Sequence, residues 1–234
     1  MRSGNDPLPA DTSLEEGAAL PVNFFTAHLA LFEMARIREG DRVLIECATG
    51  GVGTLAVQMA HQVGASVVGL TSSPHKLDYI EALGATALTR QAFYEDETQT
   101  GFDFILNASG GSEVNRQRER LGLTGRIVCM GLNSGVKDGK RNLLRMGLAA
   151  LKMPRVGLIN LMNRNTGVYG LNALKILEDD AWVERLTHGF RQADHTRLKP
   201  HVDQVFDAQQ VGAAHEYIQT KQARGKILLG WGAQ

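Results

Sequence analysis

Residues 42–60 read Arg-Val-Leu-Ile-Glu-Cys-Ala-Thr-Gly-Gly-Val-Gly-Thr-Leu-Ala-Val-Gln-Met-Ala, and this order decides the fold. Val43, Leu44 and Ile45 make a short apolar run rich in β-branched residues, suited to a strand buried on both faces. Small residues follow from Ala48 to Gly51. Leu55, Ala56, Met59, Ala60 and Val63 then recur at helical spacing, and Gly64 stops the run. The turn, Gly51-Val52-Gly53-Thr54-Leu55-Ala56, has the G-x-G-x-x-A form. Between a strand and a helix that form points to a bound dinucleotide. Gly51 is expected to tighten the turn, Gly53 to let a pyrophosphate approach the backbone, and Ala56 to seat helix on strand. Free amides at the helix start, at the positive end of its dipole, attract that phosphate.

Outward from this unit, strands alternate with helices. A second strand is predicted at 66–71, a third at 86–89, a fourth at 102–107, a fifth at 126–130 and a sixth at 166–171. Ser73 caps a helix that opens on Pro74 and stops at Gly84, and Ser112 opens a charged helix to Leu121. Residues 90–101, with the acidic run Glu95-Asp96-Glu97, read as a solvated loop or helix. The fold class is therefore α/β, a doubly wound parallel six-stranded Rossmann sheet with right-handed crossovers. Upstream, Ser13 and Glu16 form a capping box, Pro21 ends that short helix, and Asn23 caps a second over 24–37. Downstream come a helix at 182–192, an extended stretch at 199–206, a helix at 209–220 and a last strand at 226–229. Three parts are expected: a linker and short helix over 1–21, the dinucleotide-binding domain over 22–195, and a C-terminal segment over 196–234.

Composition narrows the function. Lysine plus arginine equals aspartate plus glutamate, 25 each, so no overall charge draws the chain to nucleic acid. No apolar run reaches the ~20 residues of a membrane span, and the first residues hold no signal-peptide core. Cys47 and Cys129, both placed in core strands, lack CxxC spacing; they suggest a reducing, cytoplasmic setting with neither disulfide nor zinc. Residues 132–164 carry seven basic side chains against Asp138 alone, interleaved with leucines and methionines. The default is a helix packed on the sheet; the alternative is a basic helix lying on an anionic membrane surface. Tyr217 and Lys221 match a YxxxK pattern but lie too near the C-terminus, and His215-Glu216 lacks the second histidine of HExxH.

The cofactor's identity turns on the end of the second strand. About twenty residues past the first glycine, NAD-binding chains place an acid on the ribose 2′-hydroxyl. Here Thr71-Ser72-Ser73 stands there, and Lys76 follows. Two hydroxyls and a cation at a helix start suit a 2′-phosphate, hence NADPH.

Ala-Ala-Leu-Pro-Val-Asn (18–23), Arg-Glu-Gly-Asp-Arg-Val-Leu-Ile (38–45), Gly-Gly-Val-Gly (50–53), Leu-Gly-Ala (83–85) and Gly-Lys-Ile-Leu-Leu (225–229) together resemble the medium-chain dehydrogenase/reductase family. The likeness is to its zinc-independent quinone oxidoreductases and enoyl reductases. Lys140-Arg141-Asn142-Leu143 and Lys199-Pro200-His201-Val202-Asp203 are most similar to the synaptic-vesicle amine-transport-protein branch. The resemblance covers the chain from about residue 8. It implies NADPH over Gly50, Gly51, Val52 and Gly53, with Ser72, Ser73 and Lys76 at the 2′-phosphate. It implies nicotinamide contacts at Asn107, Ala108 and Ser109 and at Gly131 and Leu132, with Thr26 near the cofactor. It implies hydride transfer to a small molecule, a quinone or an α,β-unsaturated carbonyl, with no catalytic side chain assigned and no metal. The alternative is a binding module that holds NADPH, or a partner, without turnover, or a partner-dependent half of a reductase at a membrane surface. A homodimer through the sixth strand is expected, since that edge would otherwise expose unpaired backbone groups.

Three departures stand out. Gln91 replaces a tyrosine that many relatives place near the adenosine phosphate, and Glu46 puts a charge in the central strand. Relatives also begin with a GroES-like catalytic domain absent from this chain, so the C-terminal segment is expected to belong to an incomplete one and to leave an apolar patch around 199–229.

Overall fold

Alternate residues of the central strand feed two different cores. The computed structural model describes residues 12–131, 136–137, 140–141 and 156–232. Within it, β1 (Arg42–Ile45) pairs in parallel with β2 (Ser66–Thr71) on one side and β4 (Phe102–Asn107) on the other. β3 (Thr86–Thr89), β5 (Leu121–Cys129) and β8 (Gly167–Gly170) complete a six-stranded parallel sheet in the order β3-β2-β1-β4-β5-β8. Side chains alternate across a strand. Val43, Ile45, Phe104, Leu106 and Val128 therefore enter one core, and Leu44, Leu70, Ile105 and Ile127 the other. The first core is covered by α2 (Pro21–His28), α3 (Gly51–Gln62), α4 (Leu77–Ala82) and α9 (Asp180–Gln192) through Phe24, Leu55, Ala56, Ile80 and Leu186. The short α8 (Ala173–Ile176) adds Ala173 and Ile176 at its margin. The second core is covered by α5 (Arg90–Glu95) and α6 (Glu113–Arg118) through Phe93 and Val114.

Several elements depart from the sequence reading, each for a local reason. Pro21 does not simply end the first helix, α1 (Leu14–Ala19); it opens α2 at the first helical position, where a missing N–H costs nothing. Asn23 then lies inside α2 and donates its Nδ2 to the Ala19 carbonyl at 2.7 Å. α2 runs on into a π-helical stretch, Leu29–Met34. Residues 90–101 are not simply solvated, because Phe93 anchors α5 with no exposed surface. β5 starts five residues earlier than the apolar run at 126–130 suggests. Cys47 lies beyond β1 rather than within it, at a left-handed φ of 56°.

The basic stretch is described only in part. Val136–Lys137 (β6) pairs antiparallel with Lys140–Arg141 (β7); the rest of 132–155 lies outside the described residues, as do residues 1–11. The short helix α7 (Leu158–Arg164) buries none of its residues, and Leu158, Ile159 and Met162 are exposed, so its apolar side is not packed on the sheet. β8 ends the sheet as an edge strand.

The C-terminal segment adds a second, two-stranded parallel sheet, β9 (Val202–Asp207) and β10 (Lys226–Gly230), joined through α10 (Val211–Gln219). Val205, Val211, Ile218 and Trp231 are exposed there. The segment is sewn to the glycine turn. The Gly225 amide donates to the Thr49 carbonyl at 2.8 Å, and Gln58 exchanges two hydrogen bonds with the Lys199 backbone. Gly225 has φ +64°, and a Cβ there would fall 2.0 Å from the His201 carbonyl oxygen. Gly225→Ala is expected to cost about 1–3 kcal/mol through that strain and clash. Urea denaturation checks this; an unchanged midpoint would mean that the backbone at His201 yields to the added methyl without cost.

Candidate functional site

The site is built at the carboxyl ends of β1, β2 and β4, where the strand order reverses. α3 begins at Gly51 behind an extended Gly50, and no side chain caps it. Its first amides therefore face outward with the dipole behind them. The glycines are demanded by the chain's own packing. A Cβ on Gly53 would lie 2.2 Å from the Cys47 carbonyl oxygen, and one on Gly51 would lie 2.7 Å from Asn23 Nδ2. Gly53 thus admits the left-handed Cys47 turn, and Gly51 admits Asn23. Asn23 Oδ1 is buried beside this turn without a hydrogen-bond partner among the described residues. Val52 packs half-buried against the first core, and Thr26, half-buried on α2, donates its hydroxyl to the Val22 carbonyl at 2.7 Å.

Glu46, the residue after β1, has no exposed surface and is fully paired. Its Oε2 accepts the amides of Ala108 and Ser109 at 2.8 and 2.9 Å. Its Oε1 accepts the Ser109 hydroxyl at 2.7 Å and Arg90 Nη1 at 2.8 Å. Arg90 also reaches Glu113 Oε2 at 3.3 Å and Ser109 Oγ at 3.2 Å. Burial works against the charge of this guanidinium, but the attraction of its anionic neighbours, Glu46 first, prevails and raises its pKa. Glu113 accepts the Tyr94 hydroxyl at 2.7 Å, and the Arg116 guanidinium lies 3.5 Å over the Tyr94 ring. Burial and the Glu113 bond together raise the Tyr94 pKa.

This network settles where the sequence-predicted residues stand. The Asn107 side chain bonds within the chain: Nδ2 donates to Gln117 Oε1, and Oδ1 accepts the Gly110 amide, both at 2.8 Å. The amides of Ala108 and Ser109 and the Ser109 hydroxyl are engaged by Glu46. Gly131 brings β5 against β4, since a Cβ there would meet the Ala108 carbonyl oxygen at 2.5 Å; Leu132 lies outside the described residues. Ser72 is exposed at the end of β2, and Ser73 donates its amide to Thr71 Oγ1 without capping the following turn by its hydroxyl. Lys76 is buried, and its Nζ donates to the carbonyls of Lys221 at 2.7 Å and Ala223 at 2.6 Å. These two bonds fasten the C-terminal segment to the turn after β2. Burial, helped by Arg224, lowers the Lys76 pKa against the pull of Asp203.

Arg90, Tyr94, Glu113 and Arg116 were not among the expected site residues. One signal was available: a buried acid after the central strand requires a cation. Parallel register places that cation after β3, because Thr89 pairs with Thr71. Among the described residues no group of three or more histidine, cysteine, aspartate or glutamate side chains comes together to hold a metal. None of the described helices is long and apolar enough to cross a membrane.

Residues 51–166 match the family model of zinc-binding dehydrogenases. The rat synaptic vesicle membrane protein VAT-1 homolog is 30% identical over 229 residues, spanning 95% of this chain and 57% of the rat protein. This chain thus spans little more than half the length of that relative. The quinone oxidoreductase of Thermus thermophilus, whose structures include a complex with NADPH, superposes with a TM-score of 0.78 at 32% identity, covering 96% of this chain and 69% of that one. The CurK enoyl reductase superposes with a TM-score of 0.73 at 25% identity over 97% of this chain and 65% of that one.

Two outcomes follow from the buried network. Glu46→Ala strands the Arg90 charge and two amides, and should cost about 3–5 kcal/mol in denaturant unfolding; a loss below about 1 kcal/mol would show the pair to be dispensable. Burial, reinforced by Glu46, pushes both free thiols, Cys47 and Cys129, up to about 11. The folded state therefore holds protons that the unfolded chain releases near pH 9. Stability from this source is whole below pH 9 and is lost as pH rises toward about 11. Dithionitrobenzoate should label both thiols slowly at neutral pH and fast in urea.

Proposed function

The chain belongs to the medium-chain dehydrogenase/reductase family, in the quinone oxidoreductase and VAT-1-like branch, and on that premise we propose that it binds NADPH and serves hydride transfer to a quinone or an α,β-unsaturated carbonyl. The observation that carries the reading is the uncapped start of α3, cradled by Gly51 and Gly53, at the point where the strand order reverses. The amides of Gly51, Val52 and Gly53, opening on Gly50, would hold the pyrophosphate. Ser72 and Ser73 would face the adenosine ribose, while Thr26, residues 107–109, Gly131 and Leu132 would line the nicotinamide end. The reduced nicotinamide supplies the hydride when bound; this chain's residues orient it and exclude water. Catalysis needs no metal in this proposal, and no side chain of the crevice is assigned as proton donor.

The polypeptide supports this in two further ways. β8 presents one backbone edge outward, with Tyr169 exposed, and pairing with the same edge of a second copy would continue the sheet. The free thiols suit a reducing, cytoplasmic setting.

Oxidation of NADPH with 9,10-phenanthrenequinone or an enone, followed by the loss of nicotinamide absorbance, should show turnover, and the nicotinamide fluorescence should report binding. Binding without turnover would recast the chain as a cofactor-holding module. No binding of either nicotinamide nucleotide would end the reading. Light scattering at micromolar concentration should give twice the chain mass, and a monomer would remove the strand-pairing dimer.

A further inference from the structure

We infer that Arg90, positioned by Glu46, is the cation that contacts the 2′-phosphate of the dinucleotide, in place of Lys76. The inference rests on the NADPH reading above and adds the residue that reads the phosphate. Parallel register is its first support. Thr71 ends β2 and pairs with Thr89, which ends β3, so Ser72 and Arg90 are the first residues to leave two neighbouring strand ends. The residue after β2 marks the ribose 2′ position in this crevice. Ser72 and Arg90 both line one open cleft of about 640 Å³, together with Thr89, Gln91, Tyr94 and Arg116.

The second support is how Arg90 is held. Its side chain is 29% exposed, so it is fixed from beneath and open above. Its contacts to Glu46, Ser109 and Glu113 fall on Nη1 and Nη2 and leave Nε unclaimed among the described residues. A guanidinium carries five donors in a rigid fork, and an anchored fork loses little entropy when it meets a phosphate. Ser72 supplies a hydroxyl from the same cleft.

The competing cations are engaged within the chain. Lys76 Nζ is occupied by the carbonyls of Lys221 and Ala223. Arg116 is held by Glu113 Oε1 at 3.1 Å and stacked on Tyr94, where it forms the outer wall. Glu95, the acid on the rim, accepts from Gln91 Nε2 at 2.8 Å, which keeps that glutamine at the cleft.

The test is calorimetric binding of 2′,5′-ADP and 5′-ADP to the full chain, with NADPH and NADH fluorescence in parallel. The unaltered protein should prefer 2′,5′-ADP. Arg90→Gln should weaken 2′,5′-ADP about 10–100-fold, the loss of a charge-assisted hydrogen bond, and move 5′-ADP less than about twofold. Because Arg90→Gln leaves Glu46 unpaired, the double variant Arg90→Gln/Glu46→Gln is measured as well and should show the same selective loss with a native thermal transition. Lys76→Met should leave the 2′,5′-ADP to 5′-ADP ratio unchanged. An unchanged ratio in the double variant, or a ratio that falls only with Lys76→Met, overturns the assignment while leaving NADPH binding standing. Absence of binding by all four nucleotides overturns the NADPH reading, and the assignment with it.

Discussion

A carboxylate with no exposed surface stands at the end of the central strand, and the crevice is arranged around satisfying it. Stripping Glu46 of water costs several kcal/mol, which only close, well-aligned partners offset. Four donors do so: two amides after β4, the Ser109 hydroxyl, and Arg90. They come from segments following β3 and β4, so one side chain after β1 holds three strand ends in register. Glu113 and Tyr94 extend the pairing to α6 and α5. A neutral residue at position 46 would leave the Ala108 and Ser109 amides and the Arg90 guanidinium to find other acceptors. The network makes a rigid floor to the crevice at the ends of β1 and β4.

α3 is held from its other side by the C-terminal segment. Gly225 bonds to the residue before Gly50, Gln58 of α3 clasps Lys199, and Lys76 binds carbonyls in the turn that follows α10. The glycine turn therefore lies between two fixed bodies, and its steric demands reflect both. Gly53 is crowded by Cys47 and Ala48, and Gly51 by Asn23. The G-x-G pattern follows here as much from the protein's own close approaches as from room for a ligand.

Periodicity made the sheet legible. The ranges 66–71 and 102–107 coincide with β2 and β4, because strands buried on both faces are short, apolar and bounded by turn residues, and 86–89 coincides with β3, a half-buried edge strand set off by Gly84. The glycine turn was legible for the same reason. What sequence could not show was direction. Lys76 has the right type and spacing for a phosphate, yet its ammonium turns toward carbonyls about 145 residues away, a choice that only tertiary contact makes. Arg90 looked like the start of a polar stretch, and its role arises from parallel register and a buried acid that follows a different strand. Phe93 was hidden likewise, lying in a short Ala-Phe-Tyr run inside an otherwise polar, acidic stretch.

Charge balance within the crevice carries one more step. Arg90 is matched by Glu46 and Arg116 by Glu113, so the cleft offers no large uncompensated positive field. Attraction of an anion at long range is then weak, and recognition falls to oriented donors at contact distance: the α3 amides, the Ser72 hydroxyl and the open side of Arg90. A flexible lysine in the same place would act as a point charge and lose its rotamer freedom on binding. An arginine already clamped by two carboxylates has given up that freedom in folding, so geometry rather than net charge would discriminate between phosphorylated and unphosphorylated ribose.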